Sequence, residues 1–262
     1  MVRWQSPLTE EQKKEWQSFA VKSKSGGTLR MLYAQARTPQ AKATVVMGHP
    51  MGKEAKGYFI KHGYTDWLRE NGYHTVIFDI NGFGESTHGN FSYFEDIIAV
   101  GQEARKLNPS LPIGYHGISL GGMWSAVAFA DPRHEYDFAI IESAATTLDE
   151  FWIKIPPAYV ALRIFNMLLP SYRRKIRMID RLKEATRLRS ILFIYSNTDV
   201  WTPASMGERY HQTSPVPSEL WKVEEADHAA IMKSPHREAY KSKIVDYFNE
   251  CVTKVSYSST GR

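Results

Sequence analysis

Five short runs of apolar, largely β-branched residues recur along the chain: Ala43–His49 (ATVVMGH), His74–Ile80 (HTVIFDI), Pro112–Ser119 (PIGYHGIS), Asp137–Ser143 (DFAIIES) and Ser190–Ser196 (SILFIYS). Stretches of helical character separate them, near Tyr58–Asn71, Phe91–Leu107, Leu120–Ala130, Ala204–Gln212 and His236–Val252. A strand that is apolar on alternate residues covers one sheet face, whereas one that is apolar throughout is buried on both. Strands of the second kind, alternating with helices, predict an α/β fold with a mostly parallel central sheet and crossover helices on its two faces. Ser18–Lys24 and Thr28–Ala36 read as an antiparallel pair turning at Gly26-Gly27, and SELWKVE, ending at Glu224, reads as one more strand.

From Ala144 to Leu188 the alternation stops. An aromatic and aliphatic part (FWIKIPPAYVALRIFNMLLP) is followed by a basic part, and the whole lies between two strong strands. It is too long for a simple crossover. The sequence therefore predicts an α/β core made of residues 1–143 and 189–262, with a helical cap, 144–188, inserted between strands. Such a cap would sit over the C-terminal sheet edge, where open α/β sheets hold ligands.

With 262 residues, 43% hydrophobic and 23% charged, the chain can bury one large globular core. The N-terminal MVRWQSPLTEEQKKEW lacks the apolar core of a secretory signal, and the longest apolar stretch, Ile155–Pro170, is short and interrupted by Arg163. Cys251 is the sole cysteine, so no internal disulfide or cysteine metal cluster can form. A cytoplasmic location is the default expectation. The net charge of +5 is concentrated: Arg163, Arg173, Arg174, Lys175, Arg177, Arg181, Lys183, Arg187 and Arg189 face only Asp180 and Glu184 in that span. Two readings stay open, a solvated helical face or a surface that attracts anionic substrates or lipid headgroups in peripheral membrane contact. No helix-turn-helix or RNA-recognition signature accompanies the charge, so nucleic acid is not the expected partner.

His116-Gly117-Ile118-Ser119-Leu120-Gly121-Gly122 contains G-x-S-x-G, with a buried strand running in and the helical LGGMWSAVAFA running out. A sharp strand-to-helix turn crowds the residues two before and two after its apex, and both are glycine here. The apex serine projects its hydroxyl above the sheet edge, beside the positive end of the following helix. A serine hydroxyl is a poor nucleophile until a base takes its proton. Among nine histidines, His228 in Glu225-Ala226-Asp227-His228 follows a strand and precedes the last helix, on the same sheet edge as Ser119. His49 also ends a strand but precedes the nucleophile, and is better used in shaping its loop. The base needs an acid to fix its tautomer, and Asp199, just past SILFIYS, suits that role. Its rivals are Glu142, ending the preceding strand, and Asp227, adjacent to the histidine. An oxyanion would take the N–H of Leu120 and, because Pro50 has none, that of Met51 in Gly48-His49-Pro50-Met51-Gly52.

Almost the whole chain resembles the α/β-hydrolase superfamily, and within it bacterial hydrolases of esterase, dienelactone-hydrolase and peptidase-like type. The resemblance rests on GHPMG, on Asp79-Ile80-Asn81-Gly82-Phe83-Gly84-Glu85-Ser86, on GISLGG, and on the Asp199 and His228 loops. It implies an acyl-transfer enzyme with the chain order Ser119, Asp199, His228. The oxyanion loop has His-Pro where many members have His-Gly. The nucleophile is serine where dienelactone hydrolases use cysteine, and no aspartate nucleophile points to dehalogenation. Gly82-x-Gly84 lacks a third glycine, with Thr87 in its place, and Gly52-Lys53 lacks the remaining P-loop residues, so neither nucleotide motif is met. No spacing suggests a metal, and no cofactor is expected.

The expected reaction is hydrolysis of a small-molecule carboxylic ester with an apolar acyl or aryl group. The pocket candidates are Phe151, Trp152, Tyr159 and Phe165 of the cap, whose apolar side chains would equally serve to dock the cap on the core. An acyltransferase or a thioesterase would use the same triad, and a catalytically silent ligand-binding protein is the alternative from another class. The sequence sets no oligomeric state.

Overall fold

The strands expected from the sequence form and join in one eight-stranded sheet: β1 (Trp16–Lys22), β2 (Thr28–Ala34), β3 (Ala43–Gly48), β4 (Tyr73–Phe78), β5 (Ile113–Ile118), β6 (Phe138–Glu142), β7 (Ser190–Ser196) and β8 (Ser218–Val223). The structure is a computed structural model that describes residues 6–169 and 177–259. Spatial order is β1-β2-β4-β3-β5-β6-β7-β8. β1–β2 and β2–β4 pair antiparallel, and every pairing from β4 to β8 is parallel. Every residue of β3, β5 and β6 is buried, as their unbroken apolar runs require.

Helices cover both faces. On one, Tyr93–Leu107, Leu120–Ala128 and Ala204–Thr213 pack through residues such as Ile97, Trp124 and Tyr210. On the other, Gly57–Lys61, Tyr64–Glu70 and Arg237–Ser259 pack through Phe59, Tyr64, Ile244 and Phe248. Each fully buried large apolar side chain contributes roughly 1.5–3 kcal/mol. From β3 the chain steps outward to β4, then returns past β3 to β5. The sheet order reverses there, and a crevice opens beyond the C-terminal ends of β3 and β5.

The structure departs from expectation in its helices. The stretch read as one helix, Tyr58–Asn71, is two, Gly57–Lys61 and Tyr64–Glu70, because Gly63 turns the chain at φ +75°. Without a Cβ it enters the left-handed region that ends a helix at little cost. Between β6 and β7 lie a helix at Leu148–Phe151, a 3₁₀ turn at Trp152–Lys154, and helices at Pro156–Leu168 and Met178–Leu182. Thr147 caps the first, its hydroxyl accepting from the Glu150 N–H at 3.3 Å. Met178 and Leu182 are fully buried against the core. The helix Pro156–Leu168 buries only Asn166 and leaves Val160, Ile164 and Met167 at 52%, 50% and 73% exposure. Its apolar side chains therefore do not dock this segment on the core. Arg173, Arg174 and Lys175 lie outside the described residues. Arg177, Arg181 and Lys183 are ion-paired to Asp180 and Glu184, so this part of the basic run is largely neutralised by its neighbours. No helix among the described residues is long and apolar enough to cross a membrane.

Candidate active site

β5 ends at Ile118 and the next helix begins at Leu120, leaving Ser119 alone to turn the chain. It does so at φ 50°, ψ −109°, a conformation that costs a non-glycine residue about 1–3 kcal/mol. Two backbone hydrogen bonds hold it there: the Ser119 N–H donates to the Glu142 carbonyl at 2.9 Å, and the Met123 N–H donates to the Ser119 carbonyl at 2.7 Å. The flanking glycines are required by space. A Cβ on Gly121 would stand 2.2 Å from the Gly48 carbonyl oxygen, and one on Gly117 would stand 2.6 Å from the Tyr115 ring. Ser119 itself is 6% exposed, so its hydroxyl meets whatever enters the crevice but little bulk water.

The loops after β7 and β8 bring two further side chains to this point. Ser119 Oγ lies 2.8 Å from His228 Nε2, and His228 Nδ1 lies 2.8 Å from Asp199 Oδ2. Ser119, His228 and Asp199 thus form one hydrogen-bonded line although they are far apart in sequence. Asp199 is buried and collects further donors. Trp201 and Thr202 N–H groups donate to Oδ1 at 2.8 and 3.0 Å, and the Thr202 hydroxyl donates to Oδ2 at 2.6 Å. Burial by itself would raise the Asp199 carboxyl, but the hydrogen bond and charge of His228 and the Thr202 donors outweigh it and hold it below the ordinary carboxylate range. Thr202 Oγ1 also lies 3.1 Å from His228 Nδ1, so one hydroxyl touches both partners.

The rival residues are engaged elsewhere. Glu142 is fully buried, lies 2.9 Å from His116 Nε2 and accepts from the Tyr240 hydroxyl. Asp227 is exposed. His49 is fully buried and ties the loop after β3 in place. Its Nδ1 donates to the Pro50 carbonyl at 2.8 Å, and its Nε2 accepts from the Ile80 N–H at 3.1 Å. Burial pushes this imidazole below its usual pKa, which suits a neutral ring with one donor and one acceptor nitrogen. The Gly121 N–H donates to the His49 carbonyl at 3.1 Å, which joins the loop after β3 to the serine turn. Among the described residues, neither the Met51 nor the Leu120 N–H has a backbone or side-chain acceptor, so both remain free for a ligand oxygen.

Lys56, in the segment that follows the loop after β3, joins it to the loop after β4 through a cluster of charges. The Lys56 ammonium is fully buried, 2.5 Å from Asp79 Oδ2 and 2.7 Å from Glu85 Oε2. Asp79 also accepts the N–H groups of Lys56 and Glu85, both at 2.9 Å. The loop after β3, which carries Met51, is so fastened to the loop after β4, which carries Phe83.

Two cavities meet at Ser119. The first, about 250 Å³, has walls from Phe83, Phe91, Tyr93, Met123, Trp124, Leu148, Phe151 and Trp152, and none of its lining residues is charged. The second, about 520 Å³, has His228, Trp201, Tyr58, Lys53, Glu54 and Lys233 on its walls. Met51, Phe151 and Trp152 line both. The Phe151 ring stands 6.0 Å from that of His228. Two of the four pocket candidates, Phe151 and Trp152, are therefore at Ser119. Tyr159 instead lines a separate cleft with Arg163, Arg177 and Arg209, and Phe165 is 38% exposed and lines neither cavity at Ser119. No residue of the helix Pro156–Leu168 lines either cavity at Ser119, so apolarity alone does not mark the pocket walls. Among the described residues no group of three or more His, Cys, Asp or Glu side chains could hold a metal ion.

The mostly parallel sheet, its order reversal and a serine at the strand-to-helix turn define the α/β-hydrolase fold. The profile of the serine aminopeptidase S33 family matches residues 39–213, and the chain belongs to this family of serine hydrolases. Among curated proteins none matches the chain. Of the solved structures, an esterase of Pyrococcus furiosus is similar at 16% identity and a TM-score of 0.74, over 95% of this chain and 98% of its own. Est1E of Butyrivibrio proteoclasticus with ferulic acid bound aligns at 17% identity and a TM-score of 0.68, over 90% and 99%. An acylaminoacyl peptidase of Pyrococcus horikoshii aligns at 18% identity and a TM-score of 0.69, over 90% of this chain but 41% of its own.

Proposed function

We propose that this hydrolase cleaves carboxylic esters with a small apolar acyl or aryl group through an acyl-enzyme on Ser119. The observation that carries the reading is the Ser119 hydroxyl, 2.8 Å from an imidazole nitrogen and facing an uncharged cavity of about 250 Å³. Ser119 Oγ bonds to the ester carbonyl carbon while its proton passes to His228 Nε2. The N–H groups of Met51 and Leu120 hold the oxyanion that forms. As the carbon–oxygen bond to the alcohol breaks, His228 gives its proton to the leaving oxygen. Water then loses a proton to His228, adds to the acyl carbon and releases the acid, and Ser119 recovers its proton. Asp199 keeps Nδ1 protonated and stabilises the imidazolium through these steps, and Thr202 positions Asp199. Phe151 and Trp152 complete the acyl pocket.

The likeness to an esterase of Pyrococcus furiosus and to Est1E, which holds ferulic acid, supports an acyl or aryl ester as substrate. The test is a series of chromogenic esters of increasing acyl length, with and without thiol or amine acceptors. The account expects turnover to peak at short acyl chains or a single aromatic ring, with water as the acceptor. A rate that climbs steadily to long chains, or acyl transfer to an added acceptor in preference to water, would overturn it.

A further inference from the structure

The two cavities at Ser119 differ in charge, and their positions fix which half of a substrate each holds. A general acid must reach the atom it protonates. His228 lines the larger cavity and is absent from the walls of the smaller, so the leaving group lies in the larger one. Two lysines line that cavity, Lys53 two residues beyond Met51 and Lys233 in the turn that follows the His228 loop. Both are exposed at its mouth. Among the described residues neither ammonium is ion-paired, and Lys233 stands 5.6 Å from the centre of the Tyr58 ring.

The cavity's carboxylate does not cancel them. Glu54 is bound by the Lys61 ammonium and lies 3.4 Å from His62 Nε2. The Lys61 hydrogen bond holds the Glu54 carboxyl below its usual pKa. Burial lowers the His62 imidazole, which favours its neutral form. Tyr58, whose hydroxyl donates to the Ala229 carbonyl at 2.6 Å, is raised by burial and stays neutral. Among the described residues lining the two cavities, Glu54 is held by Lys61, so Lys53 and Lys233 remain as positive charges on the leaving-group side, and the acyl side carries no charged residue.

We propose that the leaving group of the natural substrate carries an oxyanion, a carboxylate or a phosphate, held between Lys53 and Lys233 while the apolar acyl part fills the uncharged cavity. The inference rests on the reading of Ser119 as nucleophile and His228 as general acid, and adds a substrate class to it. A lysine presents a mobile point charge with three donors, which suits either anion.

The experiment compares kcat/KM for hexanoate esters of 4-hydroxybenzamide, 4-hydroxybenzoate and 4-hydroxybenzylphosphonate, at low and high salt. For the wild type, at least one anionic ester should exceed the neutral one by on the order of 3–10-fold at low salt, the range that two exposed charge pairs supply. The preference should shrink as the screening length falls from ~30 Å to ~8 Å. Comparison of the carboxylate and phosphonate arms tells which anion fits. Lys53→Gln/Lys233→Gln should bring the ratio close to one, and Lys53→Glu/Lys233→Glu should invert it. Equal wild-type rates for all three esters, or a preference that survives the double glutamine variant, would overturn the proposal while leaving the esterase reading intact. Absence of turnover for every ester, together with no fluorophosphonate label on Ser119, would overturn the esterase reading and this inference with it.

Discussion

Lys56→Met should weaken both the fold and the site. The Lys56 ammonium is fully buried between Asp79 and Glu85, and Asp79 is fully buried too. Methionine fills nearly the same volume, so packing is largely kept and the lost charge dominates. Asp79 would then be a buried carboxylate whose remaining donors are two backbone N–H groups. Removing one partner of a buried ion pair costs about 3–5 kcal/mol, more than the pair contributes relative to apolar residues, because the other charge is left uncompensated. For a domain of this size each kcal/mol shifts the melting temperature by roughly 2–4 °C, which gives a fall of roughly 6–20 °C. The same cluster fastens the Met51 loop to the Phe83 loop, so kcat should fall as well at temperatures where the variant is folded. Calorimetry with ester kinetics well below the melting range reads both effects. A melting temperature within about 2 °C of the wild type would refute the reasoning, since a buried ammonium could not then be balancing Asp79.

Thr202→Val removes the hydroxyl donor to Asp199 Oδ2 at 2.6 Å. A hydrogen bond to a charged group contributes about 1.5–3 kcal/mol, so kcat should drop ~10–100-fold with little change in KM, and a kcat within two-fold of wild type would count against Thr202 as a positioning residue. His134 is buried, and burial pulls its imidazole down to about 4 from 6.5. Because the folded value is the lower one, the unfolded chain binds the proton first. The stabilisation is complete above pH 6.5 and is lost as pH falls toward 4, amounting to at most about 3 kcal/mol. Urea midpoints at pH 7 and pH 4.5 should therefore fall further apart in the wild type than in His134→Gln, and parallel profiles would contradict this.

The parts of the molecule that were legible in the sequence are those set by local chemistry. β3, β5, β6 and β7 announce themselves because a strand covered on both faces must be apolar at every position. The turn at Ser119 is legible because the space around it excludes a Cβ at Gly117 and Gly121. His228 and Asp199 follow from their places on loops at one sheet edge. Thr202 left a weaker signal, since a hydroxyl three residues beyond an aspartate is a common local cap. The cavity walls are less legible. Phe83, Tyr93, Trp124 and Leu148 come from four separate segments and meet only in the folded chain. Asp79 and Glu85 lie in the loop that carries the resemblance, but their partner Lys56 comes from another segment, so the cluster forms only in the folded chain. Tyr159 and Phe165 stand out by composition, which does not say which way a helix turns its apolar face.

The central claim is that Ser119 is the nucleophile, and covalent labelling tests it most directly. The folded protein would be treated with a fluorophosphonate, digested, and mapped by mass spectrometry, with Ser119→Ala and His228→Ala in parallel. The account predicts one modified serine, Ser119, no label in Ser119→Ala, and labelling slowed by orders of magnitude in His228→Ala. A label on any other serine, or undiminished labelling of Ser119→Ala, would contradict it.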